Sequence, residues 1–422
     1  MVDVTMSEPA LRPVVLVLAS TYPRWKNDTE PGFVHALCRH LAKRFKVIAV
    51  VPDAPGADPG GEMDGVLVVR YRYAPRSLQT LVNDGGIVAN LRRHFWKWLL
   101  VPGFVLAQYW AARRVVRTHS VQMVHAHWLI PQGLIALRLA RSHFAVPFLV
   151  TSHGGDLFGL RSEVLQSLKR RIASASTAMT VVSRAMADEA KYIGLVPPRL
   201  AVLPMGVDLQ DRFVPDCEVH RACDELLFVG RLVPKKGLRY LLAAMPEIRV
   251  RRPAVKLIIA GFGPEQGALK AQAKHLGIED CVRFLGATTQ QELPALYQRA
   301  SAFVAPFIRD SSGDQEGLPV ALMEAIGCGC PAIVGDVAGV RELLGDTASR
   351  TCVNPEDLSS LANAIVDVLD HPDKARAAAL SMRELILRRV DWEVISSGYA
   401  DLIQTCLDHV SSKTIYTEGS PS

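Results

Sequence analysis

Short apolar runs rich in β-branched residues recur along this chain. They alternate with longer stretches whose apolar positions repeat at helical spacing. The first set of runs is Val14 to Leu18, Val47 to Val51, Val66 to Arg70, Met123 to His125, Phe148 to Thr151, Ala178 to Val182 and Ala201 to Leu203. This βα rhythm predicts a parallel sheet. The rhythm lapses from Pro204 to Asp224, where Pro, Gly and charge replace it. It restarts with Leu226 to Val229, Leu257 to Ala260, Val282 to Leu285, Ala302 to Ala305, Ala332 to Val334 and Arg350 to Val353. Two doubly wound, Rossmann-like α/β domains facing across a cleft are the simplest account, because open α/β sheets bind ligands beyond the carboxyl ends of their strands. The predicted division is a first domain over 1–205, a linker over 206–224 and a second domain over 225–390. A helix over 391–410 is expected to pack back on the first domain, followed by a disordered polar tail over 411–422.

With 422 residues, 49% of them hydrophobic, the chain is long enough for two cores. Its 48 Lys and Arg against 42 Asp and Glu leave +6, compatible with an anionic ligand or an anionic membrane surface. No nucleic acid partner is expected. Val14 to Ala19 is too short for a signal sequence and follows acidic Asp3 and Glu8, so it reads as a strand and the expected location is cytoplasmic. Lys97, Pro102, Gly103 and Gln108 interrupt Trp96 to Ala112, which is not expected to cross a bilayer. Around that stretch Arg92, Arg93, Lys97, Arg113, Arg114 and Arg117 bracket Phe95, Trp96, Trp98, Phe104, Tyr109 and Trp110. The mixture suits a headgroup interface at the inner membrane face, and equally an amphipathic helix packed on its own domain. The eight cysteines show neither metal-ligand spacing nor a disulfide rhythm and read as small core residues in a reducing compartment.

The chemistry concentrates in the second half. In Glu316-Gly-Leu-Pro-Val-Ala-Leu-Met-Glu324, Gly317 marks a turn, Pro319 suits the first helical position, and the apolar run that follows predicts a buried helix. A buried Glu324 needs a partner, and sugar hydroxyls are donors that would satisfy it; an internal Arg or Lys is the alternative. Gly230-Arg-Leu-Val-Pro-Lys-Lys-Gly237 reads as a strand-to-helix turn where Arg231 and Lys236 join the positive helix end as an anion site, with Lys235 as a solvated neighbour. Gly261-Phe-Gly-Pro264 follows the next strand and brings backbone close to a ligand. At the strand end Val282-Arg-Phe-Leu-Gly286, backbone groups of Phe284, Leu285 and Gly286 are placed to pair with a nucleobase edge.

In the first half, Thr151-Ser-His-Gly-Gly-Asp156 puts His153 at a strand's carboxyl edge. His125-Ala-His127 projects from one strand face without a third ligand at supporting spacing, so no metal is expected. Thr21 to Phe33 forms the loop after the first strand, ahead of an amphipathic helix, Val34 to Arg44.

The basic turn, the GxGP, the Arg-Phe-Leu-Gly strand end and the Glu-x7-Glu, in this order, resemble family four of the glycosyltransferases. These are retaining, metal-independent enzymes of the GT-B fold, and the resemblance spans nearly the whole chain. It implies that Arg231 and Lys236 hold a donor diphosphate, that Glu316 binds hydroxyls of the transferred sugar, and that Glu324 binds the donor ribose. Gly261, Gly263, Phe284, Leu285, Gly286, Gly317 and Leu318 then complete the donor site. It also implies that His153 contacts the sugar near its reacting carbon, that Asp156 supports it, and that His127 and Trp128 face the acceptor. Many family members carry two adjacent glycines in the first loop. Here Gly32 stands alone after Asp28 and Glu30, resembling a subgroup with an Asp-Thr-Glu loop.

The implied reaction moves a hexosyl group from a nucleoside diphosphate sugar, UDP- or GDP-linked, to a hydroxyl acceptor with retention and without a cofactor. The expected acceptor is a glycan or lipid-linked glycan, as in exopolysaccharide assembly. A sugar-nucleotide epimerase on the same scaffold and a non-catalytic sugar-nucleotide-binding subunit are the alternatives.

Overall fold

Two open twisted sheets, each covered by helices on both faces, make up the molecule. The computed structural model describes residues 12–418 apart from 27, 29–31, 83–85, 160, 312 and 314, so Glu30 and the middle of the Asp-Thr-Glu loop lie outside the described residues. The first sheet contains β1 (Val14–Leu18), β2 (Lys46–Pro52), β3 (Gly61–Met63), β4 (Val66–Tyr71), β5 (Met123–His127), β6 (Phe148–Ser152), β7 (Ala178–Val181) and β8 (Leu200–Val202). Their order is β3-β4-β2-β1-β5-β6-β7-β8. All neighbours are parallel except β3 with β4, a hairpin absent from the apolar pattern. Its signal is the Asp64-Gly65 dipeptide, with φ of 49° and 79°, which closes a two-residue turn.

The second sheet contains β9 (Glu225–Val229), β10 (Lys256–Ala260), β11 (Val282–Gly286), β12 (Ala302–Ala305), β13 (Ala332–Gly335) and β14 (Cys352–Val353), in the order β11-β10-β9-β12-β13-β14. The period of two along each strand divides the core. Leu16, Leu18, Ile48 and Val50 enter one apolar cluster, while Val15, Val17, Val47 and Ala49 enter the cluster on the opposite face.

Strand order positions the site. In the first sheet the winding reverses between β1 and β5, so the loops after β1, β5 and β6 converge there. In the second it reverses between β9 and β12, gathering the loop after β9, which carries Arg231 and Lys236, and the loop after β12, which carries Glu316.

The chain crosses between the sheets twice. Gly206 of the first crossing lies against Trp392 of the second, where a Cβ would come within 2.5 Å of the indole. Asp391 accepts hydrogen bonds from Leu209 N at 3.1 Å and Gln210 Nε2 at 2.8 Å. The last helix, Trp392–Glu418, returns to the first domain, where Trp392, Ile395, Tyr399 and Ile403 join the cluster of Val15 and Val17. Lys43–Glu393 and Arg44–Asp401 ion pairs, both at 2.6 Å, flank that contact. The helix runs past 410, through most of the stretch that the composition marks as a disordered tail; 419–422 lie outside the described residues.

Residues 91–117 divide between the two readings of their sequence. Phe104, Gln108, Ala112 and Val115 of the helix Leu100–Thr118 are buried, and so is Lys97, whose Nζ donates to Thr80 O at 2.8 Å and Asn90 Oδ1 at 3.0 Å. Phe95, Trp96, Trp98, Leu99, Leu106 and Trp110 are exposed. Arg93, Arg114 and Arg117 are exposed as well, and the Arg92 side chain lies outside the described residues. No helix among the described residues is long and apolar enough to cross a membrane.

Candidate active site

Two cavities line the cleft between the sheets. One, of about 320 Å³, is bounded by Gly230, Arg231, Gly261, Phe262 and Thr288 of the second domain and by Thr21, Phe33, Val82 and Gly86 of the first. The other, of about 160 Å³, brings His153 of the first domain together with Lys235, Glu316, Gly317 and Leu318 of the second. Phe33 lines both.

The basic turn is held by close backbone approach. Gly261, at φ 144°, lies so near the neighbouring turn that a Cβ would meet Gly230 O at 1.9 Å, and at Gly263 one would meet Leu232 O at 2.4 Å. Only glycine permits both contacts, which pin the loops after β9 and β10 together. Gly263 does not line either cavity; Gly261 does. Lys236 Nζ then reaches Glu316 at 3.1 Å and lies 5.0 Å from the centre of the Phe307 ring. Lys235 Nζ also reaches Glu316, at 3.5 Å, so the residue assigned to solvent belongs to the site. Burial acts to raise the Glu316 carboxyl, but Lys236 and then Lys235 outweigh it and hold it below its ordinary value, ionised at neutral pH.

Glu316 and Glu324 do not share a helix. The helix is Val320–Gly327, Pro319 is its capping residue rather than its first, and Glu316 sits in the preceding loop. Glu324 is 3% exposed and forms no ion pair among the described residues: Tyr297 Oη donates to it at 3.0 Å and Gln290 Nε2 at 3.3 Å. Burial pushes its carboxyl up to about 7 despite those hydrogen bonds and the weaker pull of the Arg212 and Lys236 charges. Phe284, Leu285 and Gly286 form the edge strand β11, where a register shift opposite Ile259 and Ala260 bends the ladder, and Ala287 and Thr288 carry it into the larger cavity.

On the opposing side, Asp156 is buried and faces its own loop rather than the cleft. It accepts from Leu129 N at 2.6 Å, Ser152 Oγ at 2.8 Å and His153 N at 3.2 Å, which ties the loops after β5 and β6 together. Lys169, also buried, donates to Leu157 O and Gly159 O and braces the same turn. His127, expected to face an acceptor, is fully buried behind His153, with Nδ1 2.9 Å from His153 Nε2. Trp128 is half-buried and lines neither cavity; its ring centre lies 4.9 Å from His153, with Phe33 5.0 Å from the same imidazole. Gly32 caps the helix Phe33–Leu41 and could accept a Cβ at ordinary contact distance, 3.6 Å from Pro23.

Sequence reasoning left Lys235 to solvent and passed over Phe33, Tyr297 and Gln290. Lys235 had a signal in its adjacency to Lys236, whereas the other three are far in sequence from the groups they serve.

Comparison with known proteins accounts for this arrangement. The model for Glycosyltransferase Family 4 matches residues 33–211 and that for Glycosyl transferases group 1 matches 224–383. Among curated relatives, a GDP-mannose-dependent alpha-(1-6)-phosphatidylinositol monomannoside mannosyltransferase of Mycolicibacterium smegmatis is 30% identical over 69% of this chain and 78% of its own. Sucrose-phosphate synthase from Thermosynechococcus elongatus superposes with a TM-score of 0.75 at 20% identity, covering 94% of this chain and all of that one. Anabaena HepE, in complex with UDP and glucose, superposes with a TM-score of 0.71 at 17% identity, covering 93% of this chain and all of its own. With two parallel-sheet domains meeting at such a cleft, the chain belongs to glycosyltransferase family 4 and is a nucleotide-sugar-dependent glycosyltransferase of the GT-B fold.

Proposed function

We propose that the protein is a retaining, metal-independent hexosyltransferase acting on a lipid-linked glycan at the inner face of a membrane. The observation that carries the proposal is the junction of His153 with Glu316, the latter ionised between Lys235 and Lys236, in one cavity beside the larger one that Arg231 lines. In this reading the larger cavity takes the nucleoside diphosphate and the smaller one the hexose. Arg231 and Lys236 face the phosphates, Gly261 lets the diphosphate approach backbone, and the Phe284–Gly286 edge takes the base. Glu324 receives the ribose hydroxyls. Glu316, Gly317 and Leu318 hold the sugar, with His153 above it.

The chemistry follows from where charge develops. The bond between the anomeric carbon and the diphosphate oxygen breaks with both electrons leaving on the phosphate, where Arg231 and Lys236 stabilise the growing charge. The ionised Glu316 lies near the sugar, where oxocarbenium character appears. The acceptor oxygen bonds to the anomeric carbon from the face the leaving group vacates, and its proton passes to a phosphate oxygen, so no protein nucleophile is required.

The mycobacterial-type relative is named for a GDP-mannose donor and a phosphatidylinositol mannoside acceptor, and the HepE complex for UDP and glucose, so both bases remain in the proposal. An acceptor anchored in a membrane is supported by the exposed Phe95, Trp96, Trp98, Leu99 and Trp110, with Arg93, Arg114 and Arg117 nearby. Lys236→Ala is expected to lower turnover by about a hundredfold or more while the protein remains folded; near-normal turnover would refute the assignment of Lys236 to the leaving group.

A further inference from the structure

Three imidazoles run in a row inward from the smaller cavity, which His153 lines. His125 and His127 project from the same face of β5, with ring centres 4.3 Å apart, and His153 follows β6, its ring parallel to that of His127 within 12°. His125 and His127 are fully buried. Each uses one nitrogen: His125 Nε2 lies 2.8 Å from Thr151 Oγ1, which lies 2.6 Å from Thr180 Oγ1, and His127 Nδ1 lies 2.9 Å from His153 Nε2. The other nitrogens, His125 Nδ1 and His127 Nε2, are buried without a hydrogen-bond partner among the described residues.

That asymmetry selects the tautomers. A neutral imidazole has one N–H and one bare nitrogen. A buried orphan N–H is rarer in folded proteins than an under-satisfied acceptor, so the unpartnered nitrogens are the bare ones. His125 then carries its proton on Nε2 and donates to Thr151, whose hydroxyl donates to Thr180. His127 carries its proton on Nδ1 and donates to His153. We infer that His127 is a positioning residue that locks His153 in the Nδ1–H tautomer, so that His153 presents a neutral hydrogen-bond donor to an oxygen of the bound sugar.

Burial also pushes His153 and His125 down to about 3 and His127 well below its ordinary value, so all three remain neutral near pH 7. A neutral donor suits the task. It orients a hydroxyl or ring oxygen without setting a full positive charge beside a carbon that becomes cationic. The inference rests on the proposed placement of His153 over the sugar.

The test uses the full-length protein labelled with 15N in histidine. In long-range proton–nitrogen spectra the His153 signals, assigned by their loss in His153→Gln, should show a protonated Nδ1 and a bare Nε2. His127→Asn keeps an N–H near the position of Nδ1, whereas His127→Leu is similar in size and has none. Turnover is expected to stay within about threefold in His127→Asn and to fall ~10–100-fold in His127→Leu, in the range seen when an orienting partner is removed. The His153 tautomer should persist in His127→Asn and be lost in His127→Leu. A protonated Nε2 on His153 in the wild-type protein, or equal turnover of the Asn and Leu variants, would overturn the inference. Should His127→Leu fail to fold, the wild-type spectrum decides alone. Normal turnover of His153→Ala would instead overturn the placement of His153, and is distinguishable because the tautomer assignment does not depend on activity.

Discussion

Replacing Glu324 with Gln should make the unliganded protein more stable at pH 8 and the donor complex weaker. Glu324 is buried, with the Tyr297 hydroxyl and the Gln290 amide donating to it, and burial raises its carboxyl to about 7 from its ordinary 4.5 against those hydrogen bonds and the Arg212 and Lys236 charges. At about 1.36 kcal/mol for each tenfold change in proton affinity, ionising it in the folded state costs about 3 kcal/mol more than in the unfolded chain. Because the folded-state value is raised, the penalty is absent below about pH 4.5, grows as pH rises toward 7, and is complete above that. A Gln at this position keeps an acceptor for Tyr297 and never ionises. The variant should therefore melt some 5–10 °C above wild type at pH 8, with the gain fading toward pH 5. The same change removes the charged acceptor proposed for the ribose hydroxyls, so stabilisation by the donor should fall. Thermal unfolding at several pH values, with and without nucleotide-sugar, measures both. A variant less stable than wild type at pH 8, or a gain independent of pH, would refute the reasoning about burial; unchanged donor stabilisation would refute the ribose role.

Other expectations follow from particular contacts. Gly261→Ala forces a Cβ to within 1.9 Å of Gly230 O at a φ that L residues rarely adopt, and should destabilise the second domain by about 2–4 kcal/mol in chemical denaturation. Asp156→Ala leaves three donors without an acceptor; a loss of about 3 kcal/mol should accompany reduced turnover as the His153 loop shifts, and unaltered stability would contradict its structural role. Flotation with anionic liposomes should recover the protein at low salt, less at high salt, and less again in Trp96→Ser/Trp98→Ser; absence of binding at low salt would remove the membrane proposal.

Most of the strands and the two-domain plan were legible because buried parallel strands are apolar on both faces and announce themselves as runs; the order of the strands within each sheet was not. The hairpin strand β3 was not, since Gly61 to Met63 is short, at an edge and largely exposed, and only its Asp-Gly turn carries a signal. At the candidate site, the placement of Arg231, Glu316 and His153 along the cleft, with Lys236 beside Glu316, was legible because each sits at a strand end or turn where a charged or titratable side chain has little structural purpose. Their partners were not. Tyr297 serves Glu324 from 27 residues away and Gln290 from 34, and nothing in either local sequence marks the pairing. His127 shows the limit from the other side. Strand periodicity places it on one face with His125, but whether that face meets solvent depends on what packs against it from far along the chain: Tyr399 of the last helix lies 5.7 Å from the His125 ring, and His153 stacks on His127.

The most direct measurement of the central claim is thermal stabilisation by a panel of UDP- and GDP-hexoses, compared between wild type and Arg231→Ala/Lys236→Ala. At about a hundred times its dissociation constant the true donor should stabilise the wild-type protein by about 2.7 kcal/mol. That stabilisation should disappear in the double variant at the same concentration. Equal stabilisation of both proteins would place the diphosphate elsewhere and contradict the account.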